Sequence, residues 1–181
     1  MKIFLVTTCA VIALAGMAQA QQKPALSDDA YMKRVMTAAP PQVVEQATIV
    51  RMDNSGGMRT MKKGTSVWTC MADEASEGNG APMCLDANAM EWLNALMSHG
   101  PAPQKTGFVY MLAGDDGSAN KDPYAEKKTA DNHWVVTGPH VMIVGPAAAT
   151  LGYPRTADPD PTKPYVMFPG SPYEHVMIPM K

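Results

Sequence analysis

The chain has 181 residues and a formal net charge of −2, with 15 Lys and Arg against 17 Asp and Glu. That balance leaves no basic face for nucleic acid or an anionic membrane surface, so neither is expected as a main partner. With 46% hydrophobic residues, 16 Pro and 14 Gly, the composition suits one folded unit with a real core and many turns.

Lys2 precedes a mostly apolar run from Ile3 to Ala15, and Ala18-Gln19-Ala20 follows as a small-x-small site. This is the layout of a secretory signal peptide over residues 1–20, too short and wrongly flanked for a stable membrane anchor. It predicts a periplasmic or secreted protein whose single globular domain is residues 21–181. Cys9 would leave with the signal, and Cys70 and Cys84 would remain. Two cysteines in an exported chain most simply pair with each other. Their spacing fits neither a short metal-dithiolate motif nor a C-x-x-C redox pair.

Gln21 to Leu26 reads as a polar tail. Ser27-Asp28-Asp29 supplies a hydroxyl cap and acids for the first turn of a helix running to about Ala38, where Pro40-Pro41 stops it. The β-branched run 47–52 and the alternating stretch 58–61 flank a turn at 53–57 and predict a hairpin. Residues 66–71 read as a further strand and 72–82 as an acidic, Gly-rich loop closed at its base by the disulfide. Asp86 can cap a second helix over 87–98, with Met90, Leu93 and Met97 on one stripe and Gly100-Pro101 at its end.

Gly107 to Leu112 is an apolar strand, and 113–133 a long polar loop. Its acids at Asp115 and Asp116 suggest calcium only superficially, because Gly117 stands where an EF-hand loop needs an acid. Strands are predicted at 134–137 and 140–144, a helical turn at 146–151, irregular surface at 152–164, and closing strands at 165–168 and 174–178. The predicted fold class is α+β: a single domain with a mainly antiparallel sheet, two main helices on one side of it, and long Pro/Gly-rich loops.

The internal echo His140-Val141-Met142-Ile143 and His175-Val176-Met177-Ile178 carries the sharpest chemical reading. On a strand, alternation puts the His and the Met of each H-x-M on one face. If the two strands are neighbours, His140, Met142, His175 and Met177 offer imidazole and thioether donors, a soft set suited to copper(I). Methionine is equally a filler of apolar cores, so the alternative is plain packing with no cofactor. The H-x-M pairs give a partial resemblance to periplasmic copper chaperones, which also use them; those carry a further Met between their two His positions, where this chain has Leu151-Gly152. Ser171, with Glu174 and His175 close by, supplies residue types for an acyl hydrolase but not a G-x-S-x-G elbow. Trp68, Trp134, Tyr110, Tyr153, Tyr165 and Tyr173 could line a cleft for a small ligand.

Several short motifs resemble those of a family of small exported bacterial proteins of unknown function. They are Trp68-Thr69-Cys70-Met71, Pro82-Met83-Cys84 with Asp86, Gly138-Pro139-His140-Val141-Met142-Ile143, Pro164-Tyr165-Val166-Met167 and Pro172-Tyr173-Glu174-His175. The resemblance spans roughly residues 28 to 180. It implies one folding unit and export, and it brings no activity. With no complete catalytic set visible, the sequence points first to a non-catalytic binding or accessory protein, whose partner is a small molecule or another protein. A periplasmic copper-binding protein is the second reading and a hydrolase the third.

Overall fold

A computed structural model describes residues 26–53, 57–74, 78 and 80–180. The expected signal segment, and the polar tail up to residue 25, lie outside them. Ser27 caps α1 (Asp28–Val35) as its pattern predicts: its hydroxyl accepts the Ala30 amide at 3.2 Å. Pro40-Pro41 does stop that helix, but it also starts another. Pro41 opens the single-turn α2 (Pro41–Val44), its fixed φ and missing N–H suiting a first helical position.

The hairpin follows as β1 (Thr48–Met52) and β2 (Met58–Lys62). Only Thr69–Met71 of the predicted third strand is extended (β3), and it runs parallel to β1. It pairs antiparallel with β4 (Met83–Leu85), a short strand that composition alone does not announce. Asp86 caps α3 (Ala87–Met97) by accepting the Ala89 amide at 2.8 Å, and its other oxygen accepts the Phe108 amide. That one carboxylate joins the start of α3 to β5 (Gly107–Met111).

Two residues from the long polar loop, β6 (Ser118–Ala119), pair with β7 (Trp134–Val135) as a separate ribbon. β8 (His140–Val144), β9 (Tyr165–Met167) and β10 (His175–Pro179) complete the main sheet, whose strand order is β2-β1-β3-β4-β5-β8-β10-β9. Seven neighbour pairs make up this eight-stranded sheet, and only β1–β3 is parallel. The class is α+β, a mainly antiparallel sheet with two substantial helices, as predicted.

The helices do not share a side. Cys84 and Leu85 are consecutive on β4 and so point to opposite faces. Cys84 packs with Tyr31 and Val35 of α1, whereas Leu85 packs with Ala89 and Trp92 of α3. The one-sided arrangement is corrected for a physical reason: both helices carry an apolar stripe, and a sheet whose two faces are both apolar needs a cover on each. Gly107 lets α3 lie close. A Cβ there would collide with the Ala89 backbone. Among the described residues no helix is long and apolar enough to cross a membrane.

Candidate functional site

The α3 face of the sheet collects the chemistry. β8 and β10 are hydrogen-bonded neighbours, and their antiparallel register sets Met142 opposite Met177, His140 opposite Pro179 and His175 opposite Val144. All six side chains share one face. The two H-x-M pairs are therefore brought onto adjacent strands with their thioethers in the middle and their imidazoles at the two ends.

The flanking strands extend the set. Met111 of β5 lies opposite His140, and Met167 of β9 lies opposite His175. All four methionines and both histidines are buried. Met111 and Met167 escaped the sequence reading because their relevance depends on strand order. The available signal was that each ends a short apolar strand, Phe108-Val109-Tyr110-Met111 and Tyr165-Val166-Met167.

The backbone fixes the state of both imidazoles. His140 Nδ1 lies 2.7 Å from the Gly138 carbonyl, and His175 Nδ1 lies 3.1 Å from the Tyr173 carbonyl. A carbonyl only accepts, so each Nδ1 carries the hydrogen and each Nε2 keeps its lone pair. Burial pushes the His175 pKa down to about 4 and lowers that of His140 as well, so both rings are neutral at ordinary pH. A neutral imidazole is the form that binds metals.

Their surroundings differ. His140 Nε2 is buried with no hydrogen-bond partner. Asp115 Oδ2 approaches it at 4.0 Å, beyond hydrogen-bond reach. Asp115, in the predicted polar loop, is mostly buried. Its Oδ1 accepts the amides of Gly117 at 3.0 Å and Thr137 at 2.8 Å, and desolvation raises its pKa. Beside it, Thr137 and Tyr165 share a hydroxyl–hydroxyl hydrogen bond of 2.8 Å, and burial pushes the Tyr165 phenol up to about 12.

His175 is enclosed by rings. Trp92 and Phe168 stand edge-to-face against it, with centroids at 5.2 and 5.1 Å. Phe168 holds φ at +56°, unusual for a bulky side chain. Its amide donates to the carbonyl of the fully buried Asn120, whose side-chain amide in turn donates to the carbonyls of Thr156 and Ala157. This clamp ties the irregular 152–164 segment to the ring wall around His175.

The remaining predicted residues go elsewhere. Cys70 and Cys84 face each other across β3 and β4 with Cα atoms 4.0 Å apart and form the expected disulfide, on the α1 face. Ser171 Oγ accepts the Tyr173 amide at 3.1 Å and closes a turn. Glu174 is held by both terminal nitrogens of Arg155 and accepts the Gly170 amide. The aromatics do not line one cleft. Tyr165 and Tyr173 sit in the α3-side core, Trp68 and Tyr110 on the α1 side, and Tyr153 in a third cluster under the turn at Pro146–Ala149. Among the described residues no three His, Cys, Asp or Glu side chains converge on one point. Any metal here would depend on the thioethers.

Comparisons with protein families, with curated proteins and with solved structures give no match.

Proposed function

We propose that this chain is an exported, non-catalytic binding protein whose ligand is copper(I), taken by His140, Met142, His175 and Met177. The observation that carries the reading is the β8–β10 register. It sets the two thioethers opposite each other and keeps both imidazoles on the same face, each with its Nδ1 tied to the backbone. Thioether sulfur and neutral imidazole nitrogen are the donors that select copper(I) over hard cations. The unpartnered Nε2 of His140 supports the reading further, since a buried acceptor left unmade costs about 1–3 kcal/mol. The bonds that the backbone makes to each Nδ1 act as outer partners that orient metal-binding imidazoles. A non-catalytic role accords with Ser171 and Glu174 being engaged in a turn and an ion pair. Export accords with the leader-like first twenty residues and with the disulfide.

The test is a competition titration of the chain from Gln21, disulfide intact, against a colorimetric copper(I) chelator with ascorbate as reductant. Tight binding is expected, weakened by at least a hundredfold in a His140→Ala/His175→Ala double variant that keeps its circular dichroism. Absence of binding, or equal binding by the folded double variant, overturns the reading.

A further inference from the structure

The two H-x-M pairs need not share one ion, and the register argues that they do not. His140 lies opposite Pro179, four residues beyond His175 on β10. At roughly 3.3 Å of rise per residue the two histidine positions are about 13 Å apart along the strands, with the Met142–Met177 row between them. Metal–nitrogen and metal–sulfur bonds span only about 2.0–2.3 Å each, so one ion holding both imidazoles would need both rings to reach across that row. Each histidine has a closer thioether. Directly opposed side chains in neighbouring strands stand about 4.5–5.5 Å apart at Cβ, and Met111 and Met167 hold those positions against His140 and His175.

A local two-fold axis passes between Met142 and Met177. It carries His140 onto His175 and Met142 onto Met177. It also carries β5, the outer neighbour of β8, onto β9, the outer neighbour of β10, and so Met111 onto Met167. The echo in the sequence is thus the visible part of a larger symmetric arrangement that takes in four strands.

We infer that this face holds two copper(I) half-sites, one formed by His140, Met142 and Met111 and the other by His175, Met177 and Met167. Each supplies one neutral nitrogen and two thioether sulfurs. The inference rests on the copper(I) reading above and sharpens it to a capacity of two. The halves are alike in donors and unlike in setting. The first has the Asp115 carboxylate 4.0 Å from its nitrogen, and the second has the Trp92 and Phe168 rings packed on its imidazole.

The experiment counts bound copper(I) by chelator competition while following the methionine methyl signals by NMR in protein labelled with carbon-13 at those methyls. Met111→Leu and Met167→Leu are the variants, both volume-conserving changes that a core tolerates. The wild type is expected to bind two equivalents. Met111→Leu is expected to keep about one, which shifts the Met167 and Met177 methyls. Met167→Leu is expected to keep about one, which shifts those of Met111 and Met142. A single wild-type equivalent that shifts Met142 and Met177 together and survives either substitution would overturn the two-site inference and leave the copper(I) reading standing. No bound copper(I) in any form would overturn both.

Discussion

The two faces of the same sheet are built on opposite principles. On the α1 side the packing is closed. The Cys70–Cys84 disulfide sits among Tyr31, Val35, Ile49 and Ala47. The Tyr31 hydroxyl donates to the Val50 carbonyl at 2.7 Å and accepts the Ala72 amide at 3.0 Å. Arg51 lies over the Tyr31 ring and is held by Asp28 and Glu74. On the α3 side the strands present thioethers and imidazoles, and polar atoms such as His140 Nε2 and Trp92 Nε1 are buried without partners. A region with its polar groups paired and a covalent link resists change. A region of unbranched thioethers, with the lone pair of His140 Nε2 left unpaired, is one that can accept a ligand.

Four measurements sharpen or break this contrast. The largest effect belongs to the closed face. Cys70→Ser is expected to lower stability by about 2–5 kcal/mol, read by denaturant unfolding of oxidised protein; an unchanged midpoint would show that the disulfide does not stabilise the fold. Next comes acid on the open face. His175 is neutral when folded, down to a pKa of about 4, and titrates near 6.5 when unfolded. As pH falls through that window the unfolded chain takes the proton first, so stability is lost between pH 6.5 and 4 and levels off below. The loss from this group is about 3 kcal/mol, and the stability gap between wild type and His175→Leu should change by that amount between pH 7 and pH 4. Tyr31→Phe should then cost about 1–3 kcal/mol by leaving a buried carbonyl and a buried amide without their partner. Smallest is Met142→Leu, expected below about 1.5 kcal/mol in stability while copper(I) affinity falls at least tenfold. A large stability loss with unchanged copper affinity would make Met142 a packing residue only.

Much of this was legible along the chain, and the limits are physical. Caps are local, so Ser27 and Asp86 announce their helices directly. Alternation is local too, so each H-x-M could be placed on one strand face. Which strands become neighbours is not local. β10 returns to lie between β8 and β9, and only that order gives His140 and His175 their partners Met111 and Met167. β4 has three residues and no alternation long enough to read; its place comes from the pairing of Cys84 with Cys70. The side taken by each helix is not local either: it shows only in packing, where α1 meets Cys84 and α3 meets Leu85 on opposite faces of β4. Asp115 looked like any loop acid, because its burial comes from the Thr137 amide twenty-two positions away.

On the proposed reading, the β8–β10 face holds copper(I) through sulfur and nitrogen together. An X-ray absorption spectrum of the copper(I)-loaded protein tests it most directly. Thioether sulfur at about 2.3 Å and imidazole nitrogen at about 2.0 Å are expected around the copper, by analogy with common metal–ligand lengths. A shell of nitrogen and oxygen alone, or copper lost on desalting, would contradict it and return these methionines and histidines to the core.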